Sequence, residues 1–219
     1  SFPKRNEMFF PQKKNTIPRE NTRSNLSKYQ NQNPIHRFML NRFFDLIAGE
    51  LSSYCHTKVL DFGCGEGLFL KELKQRGIIF KDLTGIDMHE DALKHARHLH
   101  PKYRFLKRDL INWECQEASF DIVIASQVLE HLFEPDKFLA RLVYLSRDFL
   151  LLTIPWEPWF RLINFFRGRD MLRFGHHLEH VNHWGMSQFM QFISKYAKIE
   201  KAYTVFPFIV VVARAHRSK

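Results

Sequence analysis

The stretch Val59-Leu-Asp-Phe-Gly-Cys-Gly-Glu-Gly67 decides the fold. A short apolar strand, Lys58–Phe62, runs straight into glycines at 63, 65 and 67. Leu68, Leu70 and Leu73 then follow at helical spacing and stop at Gly77. Glycines directly after a buried strand permit a tight turn and let a ligand approach the backbone at a helix N-terminus. A dinucleotide site asks for G-x-G-x-x-G with a pyrophosphate on the helix dipole. Here the place of the third glycine is Leu68, and Asp61 and Glu66 set two carboxylates where a pyrophosphate would be repelled. The same acids suit a ligand that carries an ammonium group.

Working outward from this loop, strands alternate with helices. On the N-terminal side, Asn33-Pro34 is a helix start, and Ile35, Met39, Phe43, Ile47 and Leu51 recur every four residues to an end near Tyr54. On the C-terminal side, Leu83–Asp87 is a second strand, followed by a helix carrying Ala92, Leu93, Ala96 and Leu99. Tyr103–Leu106 and Phe120–Ala125 are the third and fourth strands. A helix is expected from Gln127 through Phe138, Leu139 and Leu142, with Pro135 as a point of breakage. Phe149–Ile154 is the fifth strand. This alternation specifies an α/β fold with a parallel sheet and right-handed crossovers, and near-continuous apolar strands fit burial on both faces. Residues 156–184 read as an irregular insertion. A helix with Met186, Phe189, Met190 and Ile193 follows, and then strands Ile199–Thr204 and Phe208–Ala213. The three residues between those strands are too few for a parallel crossover, so the pair is antiparallel.

Carboxylates end three successive strands. Asp87 lies 24 residues after Gly63, where an acid can take both ribose hydroxyls of a nucleoside. Asp109 is placed to accept from an exocyclic adenine amine, beside the backbone N–H of Leu110. Any one of these acids alone can be a helix cap; three at the carboxyl ends of successive strands, beside a glycine loop, mark a ligand edge.

Asp61-Phe-Gly-Cys-Gly-Glu-Gly67, Gly85-Ile-Asp87, Arg108-Asp109 and Phe120-Asp-Ile-Val-Ile-Ala-Ser-Gln-Val-Leu-Glu-His131 resemble the successive motifs of class I S-adenosylmethionine-dependent methyltransferases. The resemblance spans roughly residues 34–213. It implies a Rossmann-like, three-layer α/β/α fold with a seven-stranded, mostly parallel sheet whose last strand is antiparallel. It also implies S-adenosyl-L-methionine as cofactor, with Asp61, Gly63, Cys64, Gly65, Asp87, Met88, Asp109, Leu110 and Ser126 as its contacts. Of these, Asp61, Gly63 and Gly65 would surround the methionine part, Asp87 the ribose, and Asp109 with Leu110 the adenine. Methyl transfer is an in-line displacement with a neutral leaving group, so a protein contributes mainly position and removal of the acceptor's proton.

On the acceptor side, relatives place a pair like Glu130-His131 near the reaction centre. Pro155-Trp-Glu-Pro-Trp-Phe160, with Arg161, Phe165, Phe166, Arg167, Arg169 and Arg173, reads as an aromatic and basic lid suited to a flat or acyl-bearing acceptor with an anionic end, or as the packing of a long insertion. His176-His-Leu-Glu-His-Val-Asn-His183 supplies four histidines able to act near neutral pH. His131, His180 and His183 are the catalytic candidates. RNA 3′-terminal ribose methyltransferases hold a metal between Glu-x-x-Glu-His and a later histidine. Here Gln127 stands in place of the first glutamate, and no metal is assigned. The expected activity is methyl transfer to a small or lipid-like acceptor, first of all at oxygen. An RNA methyltransferase, and a cofactor-binding protein without turnover, are the rivals.

The chain has 219 residues and a formal net charge of +10, enough for one domain of residues 31–219 with a tail. Residues 1–30 hold seven Lys and Arg against two Glu, three prolines and no apolar periodicity, which reads as a poorly ordered basic arm. Such an arm suits weak contact with nucleic acid or an anionic membrane, or simple solvation. No protein partner is evident. Hydrophobic residues make up 45%, so disorder throughout is excluded, and no window offers the roughly 18 apolar residues of a membrane span. No secretory leader is visible, and Cys55, Cys64 and Cys115 form no CxxC pair. Reduced thiols and a cytoplasmic location are therefore expected.

Overall fold

Asn33 fixes where order enters the chain: its side-chain oxygen accepts from the N–H of Ile35 (2.9 Å) and His36 (3.3 Å), and Pro34 takes the first helical position. The computed structural model describes residues 33–54, 57–156 and 181–215. The basic arm, Cys55, and most of the expected insertion with His176, His177 and His180 lie outside the described residues. Helix α1, Pro34–Leu51, buries Phe43, Phe44, Ile47 and Leu51 and closes in a 3-10 turn at Ser52–Tyr54.

From there the elements are β1 Lys58–Phe62, α2 Leu68–Gln75, β2 Asp82–Asp87, α3 Glu90–Leu99, β3 Arg104–Lys107, β4 Phe120–Ser126, α4 Pro135–Leu145, β5 Ser146–Pro155, α5 Met186–Ser194, β6 Ala197–Val205 and β7 Phe208–Ala215. They form one seven-stranded sheet in the order β3-β2-β1-β4-β5-β7-β6. Strands β1 to β5 are parallel, and β7 runs antiparallel between β5 and β6. The Rossmann-like class and the terminal antiparallel pair are thus as expected. The pair turns at Phe206-Pro207, which leaves no room for a crossover.

Helices cover both faces. One apolar cluster joins Phe43, Phe44 and Ile47 of α1, Leu70 and Leu73 of α2, and Leu93 and Ala96 of α3 to Ile122, Ile124, Leu151 and Val210 of the sheet. The other joins Phe138, Leu139 and Leu142 of α4 and Phe189 and Ile193 of α5 to Leu60, Val123, Leu152 and Val211. The alternation within each strand therefore sends successive residues to opposite cores. At the amino ends of the strands, Asp121 accepts from the Lys58 N–H at 2.7 Å and pairs with Arg147 at 2.7 Å. The opposite, carboxyl edge carries the glycine loop.

The crossover after β4 departs from expectation. No helix starts at Gln127; that residue has φ of +57°, Leu129–His131 form a single 3-10 turn, and α4 begins only at Pro135. Proline disfavours helical backbone in the residue before it, so Glu134 is non-helical and Pro135 serves as the first helical residue instead of a kink. Glu130 and His131 therefore sit in a turn above the sheet.

Gly85 in β2 faces Asp61 of β1 and Phe105 of β3 in register. A Cβ there would come within 2.6 Å of the Phe105 ring and 2.9 Å of Cys64 Sγ. Gly85→Ala is expected to lower unfolding free energy by about 1–3 kcal/mol in denaturant titration; an unchanged midpoint would show that this face of β2 has slack.

Candidate functional site

Strand order β3-β2-β1-β4 sets the carboxyl ends carrying Asp109, Asp87, Asp61 and Ser126 side by side. At about 4.8 Å per strand, that row spans roughly 14 Å, the scale of a nucleoside with a short tail. The sequence candidates at the ends of β1 to β4 thus share one edge.

The loop between β1 and α2 is held in left-handed backbone: Gly63, Gly65 and Gly67 have φ of +73°, +52° and +76°. Only glycine adopts three such angles in five residues without strain. Gly63 has a second reason to lack a side chain, because a Cβ would lie 2.5 Å from Val128 Cγ2. The N–H groups of Gly63 and Cys64 donate to the Ile86 carbonyl at 2.8 and 3.2 Å, tying the loop to β2. Cys64 is buried in the α1–α2–α3 core, and burial pushes its thiol upward, so it offers backbone and no thiolate.

The two acids nearest the loop differ. Asp87 Oδ2 accepts from the Gly65 N–H at 3.0 Å and Oδ1 from the His89 N–H at 2.9 Å, so it braces the turn while each oxygen keeps a lone pair. Asp61 is 2% exposed, and its Oδ2 has no hydrogen-bond partner. Burial, and next the charge of Asp87, push its carboxyl up to about 7. A buried acid left in this state is an acceptor waiting for a donor, and a cation satisfies both its charge and its lone pair.

Asp109 accepts from the Ile111 N–H at 3.0 Å and from the Asn112 amide at 2.6 Å, as a turn-forming Asp does. It also lines an open groove of about 470 Å³ with Lys107, Arg108, Asn112, Trp113 and Glu114. The Leu110 side chain is core, and Met88, directly after Asp87, is 42% exposed at the rim. Ser126 Oγ lies 2.9 Å from Thr153 Oγ1, which also accepts from the Gln127 side-chain amide at 3.2 Å, while the Gln127 N–H donates to the Thr153 carbonyl at 3.0 Å. Strained αL backbone at Gln127 is held by this knot.

Across the edge, the chain after the insertion docks on the 3-10 turn. The N–H groups of Val181 and Asn182 donate to the Glu130 carbonyl at 2.9 and 3.0 Å, and the Asn182 amide donates to the Leu129 and Leu132 carbonyls at 3.3 and 2.6 Å. This clasp sets His183 in the same region as the buried Glu130 and half-buried His131, whose Nε2 is 3.8 Å from Glu130 Oε1. Sequence reading missed Asn182, Thr153 and His100. Asn182 and Thr153 make their contacts across more than 25 residues, which no local pattern carries. His100 ends α3, and its Nε2–H donates to the Gly67 carbonyl at 2.9 Å, while burial holds the ring below the ordinary imidazole value.

Residues 59–147 match the family model described as a methyltransferase domain. The chain is 28% identical over 130 residues to a probable S-adenosylmethionine-dependent methyltransferase of Mycobacterium tuberculosis, covering 59% of this chain and 45% of that protein. It is 32% identical over 118 residues to the ubiquinone biosynthesis O-methyltransferase of Saccharophagus degradans, covering 50% and 48%. The chain thus spans about half the length of these relatives. Its fold is similar to that of magnesium protoporphyrin IX methyltransferase from Synechocystis with bound SAH, with a TM-score of 0.65 at 15% identity over 87% of this chain and 94% of that one. Residues 59–147 thus carry the likeness to a methyltransferase domain, and the fold is similar to that of the class I, Rossmann-like methyltransferases.

His100 yields a pH prediction. Its folded pKa lies below its unfolded value of 6.5, so its contribution to stability is full above about pH 6.5 and is lost as pH falls through the window beneath. His100→Gln should flatten melting temperature against pH between about 7.5 and 5 relative to the unmodified chain; parallel profiles would contradict the neutral, donating imidazole.

Proposed function

We propose that this methyltransferase domain binds S-adenosyl-L-methionine at the carboxyl ends of β1 to β4 and transfers its methyl group to a small or lipid-like acceptor, at an oxygen atom. One observation supports the cofactor before all others: the buried Asp61 carboxyl, with Oδ2 unpartnered, beside a glycine loop in left-handed backbone. A pyrophosphate would add negative charge to that acid, whereas the ammonium of an amino-acid nucleoside would satisfy it. Once bound, the cofactor supplies an electrophilic methyl on a sulfonium.

The chain's own residues then do the positioning. Gly63, Cys64 and Gly65 present backbone to the amino-acid part, and Asp61 accepts from its ammonium. Asp87, already fixed by two backbone donors, offers its remaining lone pairs to ribose hydroxyls. Met88 covers one side of the base, while Asp109 and the Leu110 N–H face its polar edge, and Ser126 closes the row at β4. His131 and His183, with His180 outside the described residues, are assigned to the acceptor, to take its proton at a ring nitrogen. The names of the ubiquinone O-methyltransferase relatives favour oxygen as the atom methylated. No helix among the described residues is long and apolar enough to cross a membrane. The free thiols Cys64 and Cys115 accord with a cytoplasmic location.

Asp61 gives the direct test. Its carboxyl is raised to about 7, so the free protein is a mixture of protonated and ionised forms near neutral pH, and a cationic ligand selects the ionised one. S-adenosylmethionine affinity measured by calorimetry should rise from pH 6 to about 8 and then level off. Asp61→Asn should weaken binding by about tenfold or more and remove the pH dependence. Unchanged affinity and slope would overturn the cofactor placement.

The acceptor is found by incubating the full chain with methyl-labelled cofactor and fractionated lipid and metabolite extracts. Once it is in hand, His183→Ala and His131→Ala should each lower kcat by about 100-fold while cofactor affinity holds, as expected for loss of a proton acceptor. Full turnover in both would remove these histidines from the acceptor site.

A further inference from the structure

Seven large apolar side chains are conspicuously exposed among the described residues: Ile35, Phe38, Ile79, Met88, Phe133, Val181 and Phe206. Single exposed apolar residues are ordinary, but a common address is not. Met88 follows β2, and Phe133 lies between the 3-10 turn and α4. Val181 sits on the Glu130 clasp, and Phe206 is in the β6–β7 turn, whose flanking Phe208 pairs with Pro155 at the end of β5. All four are at the carboxyl edge.

Ile35 and Phe38 join them because of how α1 lies. Tyr54, just past its C-terminus, packs on Phe149 low in β5; Glu50 bonds Tyr203 and Lys201 half-way up β6; and Phe43 meets Phe208, at the carboxyl edge, with ring centroids 4.4 Å apart. Helix α1 thus climbs toward its own N-terminus. The five to eight residues before Phe43 carry it roughly 8–12 Å past the sheet at 1.5 Å per residue. At that projecting end, Ile35 and Phe38 are 70% and 62% exposed and share a helix face. Only Ile79, at the opposite end of the sheet, is elsewhere.

Charge along α1 before Asp45 has one sign. Arg37 and Arg42 are exposed, the Arg42 guanidinium lies 6.0 Å from the centre of the Phe38 ring, and no acid occurs in α1 before Asp45. The chain enters α1 here from residues 1–30, with their surplus of five positive charges. Within α1, apolar side chains flanked by arginines, with no carboxylate before Asp45, match a surface of acyl chains beneath anionic headgroups.

We infer that the carboxyl edge docks on an anionic lipid bilayer, with Ile35 and Phe38 entering the headgroup boundary and Arg37 and Arg42 meeting lipid phosphates. The docking stands on these exposed side chains alone. That the acceptor then reaches the glycine loop from the bilayer rests on the methyl-transfer reading above.

The test is sedimentation of the full chain with vesicles of phosphatidylcholine alone, or with about 30% phosphatidylglycerol. The chain should partition onto the anionic vesicles, and Ile35→Ser with Phe38→Ser should lower that partitioning by about tenfold at unchanged melting temperature. Arg37→Glu with Arg42→Glu should abolish the preference for phosphatidylglycerol. The inference is overturned if the unmodified chain stays in the supernatant. It is also overturned if the Ser variant sediments as well as the parent, which would leave any binding to residues 1–30. Conversion of a dimer to a monomer by the Ser variant, with vesicle binding intact, would assign this face to a second copy and equally overturn it. S-adenosylmethionine affinity of the same samples is a separate readout: vesicle binding without cofactor binding upholds the docking and removes the methyl-transfer reading.

Discussion

Two carboxylates at the ends of adjacent parallel strands, both withdrawn from water, constrain everything around them. Asp87 is satisfied by the Gly65 and His89 N–H groups and Asp61 is not, and the second acid raises the cost of ionising the first. A fold that merely needed stability would place an apolar residue at position 61, since no described residue bonds the Asp61 Oδ2. The glycine loop follows from the same constraint. To lend its N–H to Asp87, the Gly65 backbone must turn with positive φ, and Gly63 and Gly67 turn with it. His100, Ile86 and Val128 then fix the loop from three sides. Rigid backbone around an acid lacking a donor is what preorganised binding of a cation requires.

Around that centre the sheet divides labour between its two edges. Asp121, Lys58 and Arg147 close the amino edge with one short ion pair and a backbone hydrogen bond. The carboxyl edge instead collects exposed apolar groups, the unpartnered Asp61 Oδ2 and αL backbone at Gln127. Packing energy resides in the two clusters on either face of β1, β4 and β5.

Much of this was legible beforehand because it rests on local patterns. The strand-glycine-helix junction at 58–73, the acids closing β1 and β2, the Asn33-Pro34 helix start and the terminal antiparallel pair each depend on a few neighbouring residues. Where legibility failed, a long-range or competing contact decided. The helix expected from Gln127 gave way to a 3-10 turn because Pro135 provides a better start and Gln127 is drawn toward Thr153. Asn182 and His100 act on carbonyls 50 and 33 residues away, a pairing that only topology creates. Asp109 forms a local turn and also lines a groove.

The account turns on the sign of charge that this loop accepts. Calorimetric titration of the full chain with S-adenosylhomocysteine, which keeps the amino-acid and nucleoside parts without the sulfonium, and in parallel with NAD, measures that preference directly. Binding of S-adenosylhomocysteine with micromolar affinity and no heat from NAD is the expected result. Saturable binding of NAD, with the homocysteine nucleoside silent, would contradict it.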